Sequence, residues 1–364
     1  MYRLTRHVLL TACAGLLMMM MSQAALAQYA WRNLDSNQVG QANHIDPLIA
    51  NAWGIVHGPG TPWWVSDNFS GWSTLYTASG QQVQQLKVLI PTGGGNGPGS
   101  PTGVVFNSSN NFQVRGPQST EPWPSIFLFA TLDGTISGWA PQSNFNASIV
   151  KVKNPTSMYT GLAINAANDK LYAADNANNK VDVFGPNFHM ISSFTDPLVP
   201  AGFSVFGIQD INGLLFVTFA GNNGASGGFV DVFKEDGSLA NPNATAPFIH
   251  DERLNQPWGV ALAPHNFGPL SNTVLISNNT NQGFITGFGA GDGKFVGNLK
   301  DKNLNTIHID QLWGIGFGFG DNVSGPMNSL YYAAGPKNNV VGEFGVITLA
   351  PTGGGIIGDT GTIK

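Results

Sequence analysis

The sequence predicts an all-β protein, a six-bladed β-propeller, and three observations lead to this prediction. First, 47 glycines and 22 prolines among 364 residues, with only 10% charged residues, indicate many tight turns and few helices. Second, no stretch beyond the N-terminus keeps a helical periodicity of apolar residues over a dozen positions. Third, one pattern of short apolar strands recurs six times, at intervals of about fifty residues.

Residues 159–184 show one unit of this pattern most clearly. They contain three mainly apolar runs of four residues, 161–164, 171–174 and 181–184, each bounded by Asn, Asp or Gly. Such residues favour turns, because their side chains cap the backbone or because they tolerate left-handed conformations. A fourth run at 190–194 would complete a four-stranded antiparallel sheet, which is one propeller blade.

Each unit begins with a glycine that follows an aromatic residue or a threonine and opens an apolar inner strand. A second and a third strand follow in all six units, so the period predicts six blades. We call these glycines the marker glycines; they are Gly54, Gly103, Gly161, Gly207, Gly259 and Gly314.

The two ends of the chain predict how the ring closes. Residues 29–34 form a lone strand before the first marker glycine. We expect it to pair as the outer strand of the last blade, because this removes two exposed sheet edges. The propeller then spans residues 28–349 as a single domain, followed by a flexible glycine-rich tail at 350–364. The loops 92–101 and 107–124 are expected to be surface excursions.

Residues 1–27 have the pattern of a signal peptide, with Arg3 and Arg6 before an apolar region and a small-x-small cleavage site at 25–27. A lipoprotein-type cleavage that leaves a lipidated Cys13 is the alternative, although the apolar stretch before this cysteine is short. The sequence therefore predicts export to the periplasm or secretion. No cysteine follows residue 27, so the exported chain has no disulfide and no thiolate metal site.

The charge of the exported chain excludes one class of partner. Without residues 1–27, 14 basic and 21 acidic residues remain, a formal net charge of −7. Such a surface repels nucleic acid and anionic membranes, and no basic cluster offsets it. No second apolar stretch reaches the length of a transmembrane helix. The oligomeric state is left open.

The segment LYAADNANNKVDVF at 171–184 resembles the NHL repeat, in which an apolar strand, an Asp and an Asn-rich turn precede a strand ending in Val-x-Val-Phe. Over residues 29–349 the chain resembles a family of exported, uncharacterised bacterial six-bladed propellers with NHL-like repeats. This resemblance rests mainly on segments 46–55, 64–68 and 255–260. It implies the fold and no established reaction.

In a blade, the loop before the inner strand and the end of the second strand lie on the same face, so we expect a site at the axial mouth of that face. Imidazoles and carboxylates there suit acid/base catalysis or a divalent cation, the possible cofactor. In the alternative interpretation, these side chains only close turns. The candidate catalytic residues are His44, His250 and His308, and the candidate metal ligands are Asp67, Asp175 and Asn278.

Trp53, Trp258 and Trp313 precede three marker glycines and are candidate ligand-binding residues. They could form an aromatic platform for a sugar ring or an apolar ligand, or they could pack against one another near the axis. Trp63 and Trp72 are further candidates for surface binding.

The sequence favours a binding or scaffolding module for a protein, a glycan or a cell-envelope ligand. No phosphate-binding loop and no nucleophile elbow is present, and a propeller fold does not by itself specify a reaction. The alternative is a metal-dependent hydrolase that resembles the propeller lactonases, in which the cation would polarise a carbonyl and activate water. A lyase with a histidine general base is a further alternative.

Overall fold

The computed structural model describes residues 28–350 apart from Gln84 and Asn96, and it shows the six-bladed β-propeller that the sequence predicts. The expected signal peptide at 1–27 and residues 351–364 of the expected tail lie outside the described residues.

Four blades contain four antiparallel strands each, ordered from the axis outwards as they follow in the chain. Blade 1 consists of Ala52–Val56, Trp63–Asp67, Trp72–Tyr76 and Val88–Leu89. Blade 2 consists of Pro101–Phe106, Phe127–Thr131, Thr135–Trp139 and Ile149–Lys153. Blade 3 consists of Tyr159–Ile164, Leu171–Asp175, Lys180–Phe184 and Met190–Phe194. Blade 5 consists of Pro257–Leu262, Thr273–Asn278, Ile285–Gly289 and Phe295–Asn298.

Blades 4 and 6 depart from this plan. Blade 4 has the three strands Phe203–Ile211, Leu214–Gly221 and Gly228–Lys234, and two isolated bridges, Val230 with Ile249 and Phe233 with Leu239, stand where the other blades have a fourth strand. Blade 6 has five, which are Leu312–Phe317, Leu330–Ala334, Glu343–Leu349, Tyr29–Ser36 and His44–Ile45. Short helical turns occur at Asn176–Asn178, Asn222–Gly224, Gly268–Leu270 and Pro336–Asn339.

The N-terminal strand closes the ring, as predicted. Tyr29–Ser36 runs antiparallel to Glu343–Leu349, with Tyr29 opposite Leu349 and Ser36 opposite Glu343. The last blade therefore contains both ends of the propeller, and separating them requires breaking a full strand ladder.

The hydrophobic core is divided among the junctions between blades. Six of the buried clusters among the described residues each join two neighbouring blades, and a seventh lies on the axis. Between blades 1 and 2, for example, Trp64 stacks on Phe127 with ring centroids 4.1 Å apart. Burial of a side chain of this kind contributes about 1.5–3 kcal/mol, so every junction is held by several such contributions.

The expectation that the loop at 107–124 is a surface excursion is wrong for part of this loop. It contains a two-stranded ribbon, Gln113–Val114 with Trp123–Pro124, and the side chains of Phe112 and Val114 are fully buried in the core between blades 2 and 3. The backbone N–H of Phe112 donates to the carbonyl oxygen of Pro186 in blade 3 at 2.8 Å, and this contact helps to hold Phe112 in place. Part of this loop therefore fastens two blades together.

The marker glycines are the places where neighbouring inner strands approach most closely. A Cβ on any of them would come within 3.1 Å of a backbone atom of the next blade, and the contacts run from blade 1 around to blade 6 and back to blade 1. The strand pairing also shifts register beside each marker. Glycine is needed here because only a residue without a side chain lets the six backbones close around the axis.

Candidate functional site

Three tryptophans close the axis on the face where the inner strands begin, which we call the tryptophan face. Trp53 and Trp313 stack with centroids 3.6 Å apart, and Trp258 meets them edge-on at 6.2 and 5.8 Å. The Nε1 of Trp258 donates to the carbonyl oxygen of Thr160 at 2.9 Å and thereby links blade 5 to blade 3 across the axis. Each of the three side chains is at most 9% exposed, so their rings are used mainly in contacts with one another.

A belt of branched aliphatic side chains lies beneath the tryptophans. Each follows a marker glycine directly, and together they enclose a cavity of about 30 Å³, which is room for about one water molecule. The axis is therefore narrow and apolar at its centre. The belt consists of Ile55, Val104, Leu162, Ile208, Val260 and Ile315.

On the opposite face, which we call the open face, the axis widens into a pocket of about 410 Å³. The C-terminal ends of the inner strands of all six blades line it, mostly with aliphatic and aromatic side chains. We call it the axial pocket. Its outer wall includes Val56, Phe106, Ile164, Ile211, Leu262 and Phe317.

Two polar side chains, His57 and Gln209, interrupt this apolar lining. The Nε2 of His57 lies 2.9 Å from the carbonyl oxygen of Phe317, which assigns the imidazole proton to Nε2 as the donor. The His57 ring also meets Trp63 edge-on, with centroids 4.5 Å apart. His57 is thus held in place, while the exposed side chain of Gln209 lines both the axial pocket and the narrow cavity beneath it.

Trp63, expected as a surface-binding residue, is only 1% exposed, and its Nε1 donates to the carbonyl oxygen of Ser324 at 2.9 Å. It contributes to the wall of the axial pocket instead of the outer surface. Trp72 is half-buried, with the ammonium group of Lys87 5.2 Å above its ring.

The three candidate metal ligands lie at the ends of second strands, and each has hydrogen bonds within its own blade. Thr74 donates to Asp67 at 2.7 Å, and burial raises the pKa of the Asp67 carboxyl well above its ordinary value. Asp175 accepts from the hydroxyl of Ser157, the backbone N–H of Met158 and the amide of Asn178. Asn278 accepts from the N–H of Asn255 at 2.7 Å. Most of these contacts join the strand end to a neighbouring strand or to the loop before the inner strand, and only the contact of Asn178 with Asp175 lies within a turn. Whether any of the three also binds a metal stays a prediction.

The three candidate histidines are all exposed, and the structure does not place them together at the axial mouth. His44 lies in the outermost strand of blade 6, four strand spacings or about 19 Å from the inner strand. The Nδ1 of His250 lies 3.2 Å from the carbonyl oxygen of Pro247, and that of His308 lies 3.0 Å from that of Gln282. Sequence reasoning missed the displacement of His44 because the parallel pairing of its strand with Tyr29–Ser36 is a tertiary contact.

Two features are absent from the described residues, 28–350 without 84 and 96. These residues contain no group of three or more His, Cys, Asp or Glu side chains arranged to hold a metal ion. No helix in this part of the chain has the length and apolar composition of a membrane span.

The fold and the axial pocket define the class of the protein, a six-bladed β-propeller, and comparisons with known proteins agree with that class. No protein-family model matches the chain. It is 26% identical to uncharacterized protein R648 of Acanthamoeba polyphaga mimivirus, over 86% of this chain and 78% of that one. Its structure is similar to a luciferin-regenerating enzyme (TM-score 0.55, 10% identity, 88% of this chain and 95% of that one). It is also similar to a glucose dehydrogenase (TM-score 0.52, 11% identity, 88% and 100%). At these identities the structural likeness shows the fold alone.

Proposed function

We propose that the protein is a binding module that takes the apolar part of an amphipathic ligand into the axial pocket. The observation that carries this proposal is the pocket itself, a concave space of about 410 Å³ with an apolar lining from all six blades and two polar groups, His57 and Gln209. Pockets of roughly 300–1,000 Å³ with this balance of apolar wall and few polar groups are typical of small-molecule sites.

The chemistry of the lining selects among the ligand classes that the sequence leaves open. Each methylene group that moves from water into such a pocket contributes about 0.8 kcal/mol. A polysaccharide has few groups of this kind, whereas an amphipathic component of the cell envelope has many. We therefore propose a cell-envelope ligand, with its apolar part on the axis and its polar end beside Gln209.

The test is a titration of the purified protein with a fluorescent apolar dye, followed by displacement of the dye with amphipathic envelope lipids. Gln209→Trp should fill the mouth of the axial pocket and weaken dye binding at least tenfold. Ser192→Trp is the matched control, because Ser192 is exposed on the outer strand of blade 3 and the same side chain there should leave binding unchanged. Equal dye affinity in the two variants would show that the pocket is not the site.

We also propose that the protein is exported and that its blades are NHL-like repeats. These two proposals rest on the signal-peptide pattern at 1–27 and on the segment 171–184. Expression of the full chain with its own N-terminus tests export: the mature protein in the periplasm or medium should begin at Gln28. A chain recovered only from the cytosol with residues 1–27 intact would contradict it.

A further inference from the structure

Blade 6 lacks a carboxylate at the end of its second strand. Leu312 pairs with Ala334 as Ala52 pairs with Asp67 in blade 1, so alanine occupies the place of the carboxylate, and Gly335 follows. Oxygen atoms from neighbouring loops gather at this glycine instead. A Cβ built on Gly335 would lie within 2.9 Å of two amide oxygens, the Oδ1 atoms of Asn51 and Asn339. The two oxygens are therefore less than about 6 Å apart.

The orientation of the Asn51 amide is fixed by a chain of hydrogen bonds. Asn68 must donate through Nδ2 to the carbonyl oxygen of Pro101 at 3.1 Å, which leaves its Oδ1 as an acceptor. Asn51 must then donate through its own Nδ2 to that Oδ1 at 3.2 Å. Because a carbonyl oxygen cannot donate, the chain has only one direction, and the Oδ1 of Asn51 points towards Gly335.

The gathered oxygens are buried and lack donors. Asn51 is 5% exposed, and within the described part of the chain neither its Oδ1 nor that of Asn339 accepts a hydrogen bond. Buried polar atoms of folded proteins nearly always have a partner, and one without a partner costs about 1–3 kcal/mol. Two buried acceptors that both lie beside Gly335 and have no donor therefore call for a positively charged or hydrogen-bond-donating ligand.

A carboxylate lies in the neighbouring loop, since Asp310 directly precedes Gln311, whose carbonyl oxygen accepts the N–H of Gly335 at 2.9 Å. Asp310 accepts the N–H of Lys337 on Oδ2 at 3.0 Å, while its Oδ1 is buried and has no hydrogen bond among the described residues. Glu343 pairs with Ala334 in the sheet. The ammonium group of Lys337 donates to the Oε1 of Gln38 at 2.6 Å.

We propose that the junction of blades 6 and 1 is a binding site for Ca²⁺, with the Oδ1 atoms of Asn51, Asn339 and Asp310 as its protein ligands. All of them are oxygens, the donor type that Ca²⁺ prefers, and amide and carboxylate oxygens are common in its sites. A site with so few protein ligands completes its coordination with water, and we expect a dissociation constant of about 10⁻⁴–10⁻³ M. Bound there, the cation would tie the loops of the ring-closing blade to blade 1.

Calcium binding by the full chain, stripped with EDTA and dialysed, tests the site. Calorimetric titration with CaCl₂ should show one saturable site, and Ca²⁺ at ten times the dissociation constant should raise the melting temperature by about 2 °C. Gly335→Ala should abolish both effects, because its methyl group would collide with the Oδ1 of Asn51 and displace it. Its φ of −121° is ordinary for alanine, so the variant should fold. Asp310→Asn keeps the acceptor for Lys337 and should weaken binding at least tenfold.

Gly291→Ala is the control, because a Cβ at Gly291 meets nothing within 4 Å; it should bind Ca²⁺ like the wild type. The proposal is overturned if the wild type shows neither heat nor a shift of the melting temperature up to about 10 mM Ca²⁺. It is also overturned if Gly335→Ala and Asp310→Asn both bind like the wild type. The first result is expected if the Asn339 amide is turned so that its Nδ2 donates to Asn51, whereas the second would place the bound cation elsewhere in the protein.

Discussion

Gly207→Ala should be among the most damaging single substitutions in the ring, because the added methyl group has no room. Its Cβ would lie well under 3.0 Å from the carbonyl oxygen of Trp258 and 2.9 Å from the hydroxyl of Thr218. The nearest obstacle is backbone, which cannot rotate away like a side chain. The φ of Gly207 is not in the left-handed region, so the penalty is steric and not conformational.

The size of the effect follows from how far the neighbouring blade must move. Insertion of a methyl group into a packed core costs about 1–3 kcal/mol, and a backbone obstacle places Gly207→Ala near 3 kcal/mol. At Gly161 the closest backbone atom would be 3.1 Å away, so Gly161→Ala should cost about 1 kcal/mol. For about 320 ordered residues, the entropy of unfolding is about 0.7 kcal/mol per kelvin, which converts these costs to losses of about 4 and 1.5 °C.

Thermal unfolding followed by circular dichroism at one fixed heating rate measures this series. Gly291→Ala is the reference, since its methyl group would point into open space. We expect the melting temperature to fall in the order Gly291→Ala, Gly161→Ala, Gly207→Ala. If Gly207→Ala melts within 1 °C of Gly291→Ala, the six backbones do not meet as closely as described, and the explanation of the marker glycines is wrong.

Three further predictions concern ring closure, pH and metal. Leu34→Ala, in the fully buried part of the ring-closing strand, should lower the free energy of unfolding in urea by about 2–5 kcal/mol. The control Arg32→Ala changes an exposed residue of the same strand and should alter this free energy by less than about 0.5 kcal/mol. Equal effects of the two substitutions would contradict the role of this strand. Burial, together with the charge of Asp46, raises the pKa of Asp35 to about 8, so the folded state holds a proton that the unfolded chain releases above its usual pKa of 3.8. Stability should therefore decline as the pH rises from about 4 to 8, and Asp35→Asn should reduce that decline in urea midpoints; an unchanged decline would refute the assignment. If the protein is a metal-dependent hydrolase, elemental analysis should find a stoichiometric metal that disappears in Asp175→Ala, whereas an empty result after metal soaking would remove that alternative.

The blades could be predicted because their causes are local and repeated. A glycine before an apolar run, two further short strands and Asn-rich turns occur in each unit, and each blade buries its faces only against the next unit. The lone strand at 29–34 carried equally direct information, because a closed ring needs a partner for it. Blade 4 differs because residues after Lys234 form only isolated bridges to the third strand, through Leu239 and Ile249, and no pattern in the sequence distinguishes isolated bridges from a ladder.

The axial pocket could not be predicted in the same way, because it belongs to no single unit. Val56, Phe106 and Phe317 look like ordinary core residues in their own strands, and only the curvature of the ring brings their strand ends together on one side. Reasoning from the histidines and strand-end carboxylates led to the tryptophan face, where polar residues are abundant in the sequence. One feature of the sequence did indicate the pocket: the apolar run after each marker glycine is longer than the closure of the axis requires.

The oxygen atoms around Gly335 could not be predicted from the repeat either, for the same reason. Comparison of equivalent positions finds a carboxylate at Asp67 and Asp175 but none in blades 4 and 6, and it therefore gives those two blades the least weight. That comparison considers only the side chain at each equivalent position, whereas a bound ligand contacts every nearby atom, whichever part of the chain it comes from. Removing the side chain at Gly335 makes room for the oxygens of Asn51 and Asn339, which come from residues 284 and 4 positions away in the chain. A cation would thus bind where the repeat is broken, because the absence of a local side chain is what allows distant ones to converge.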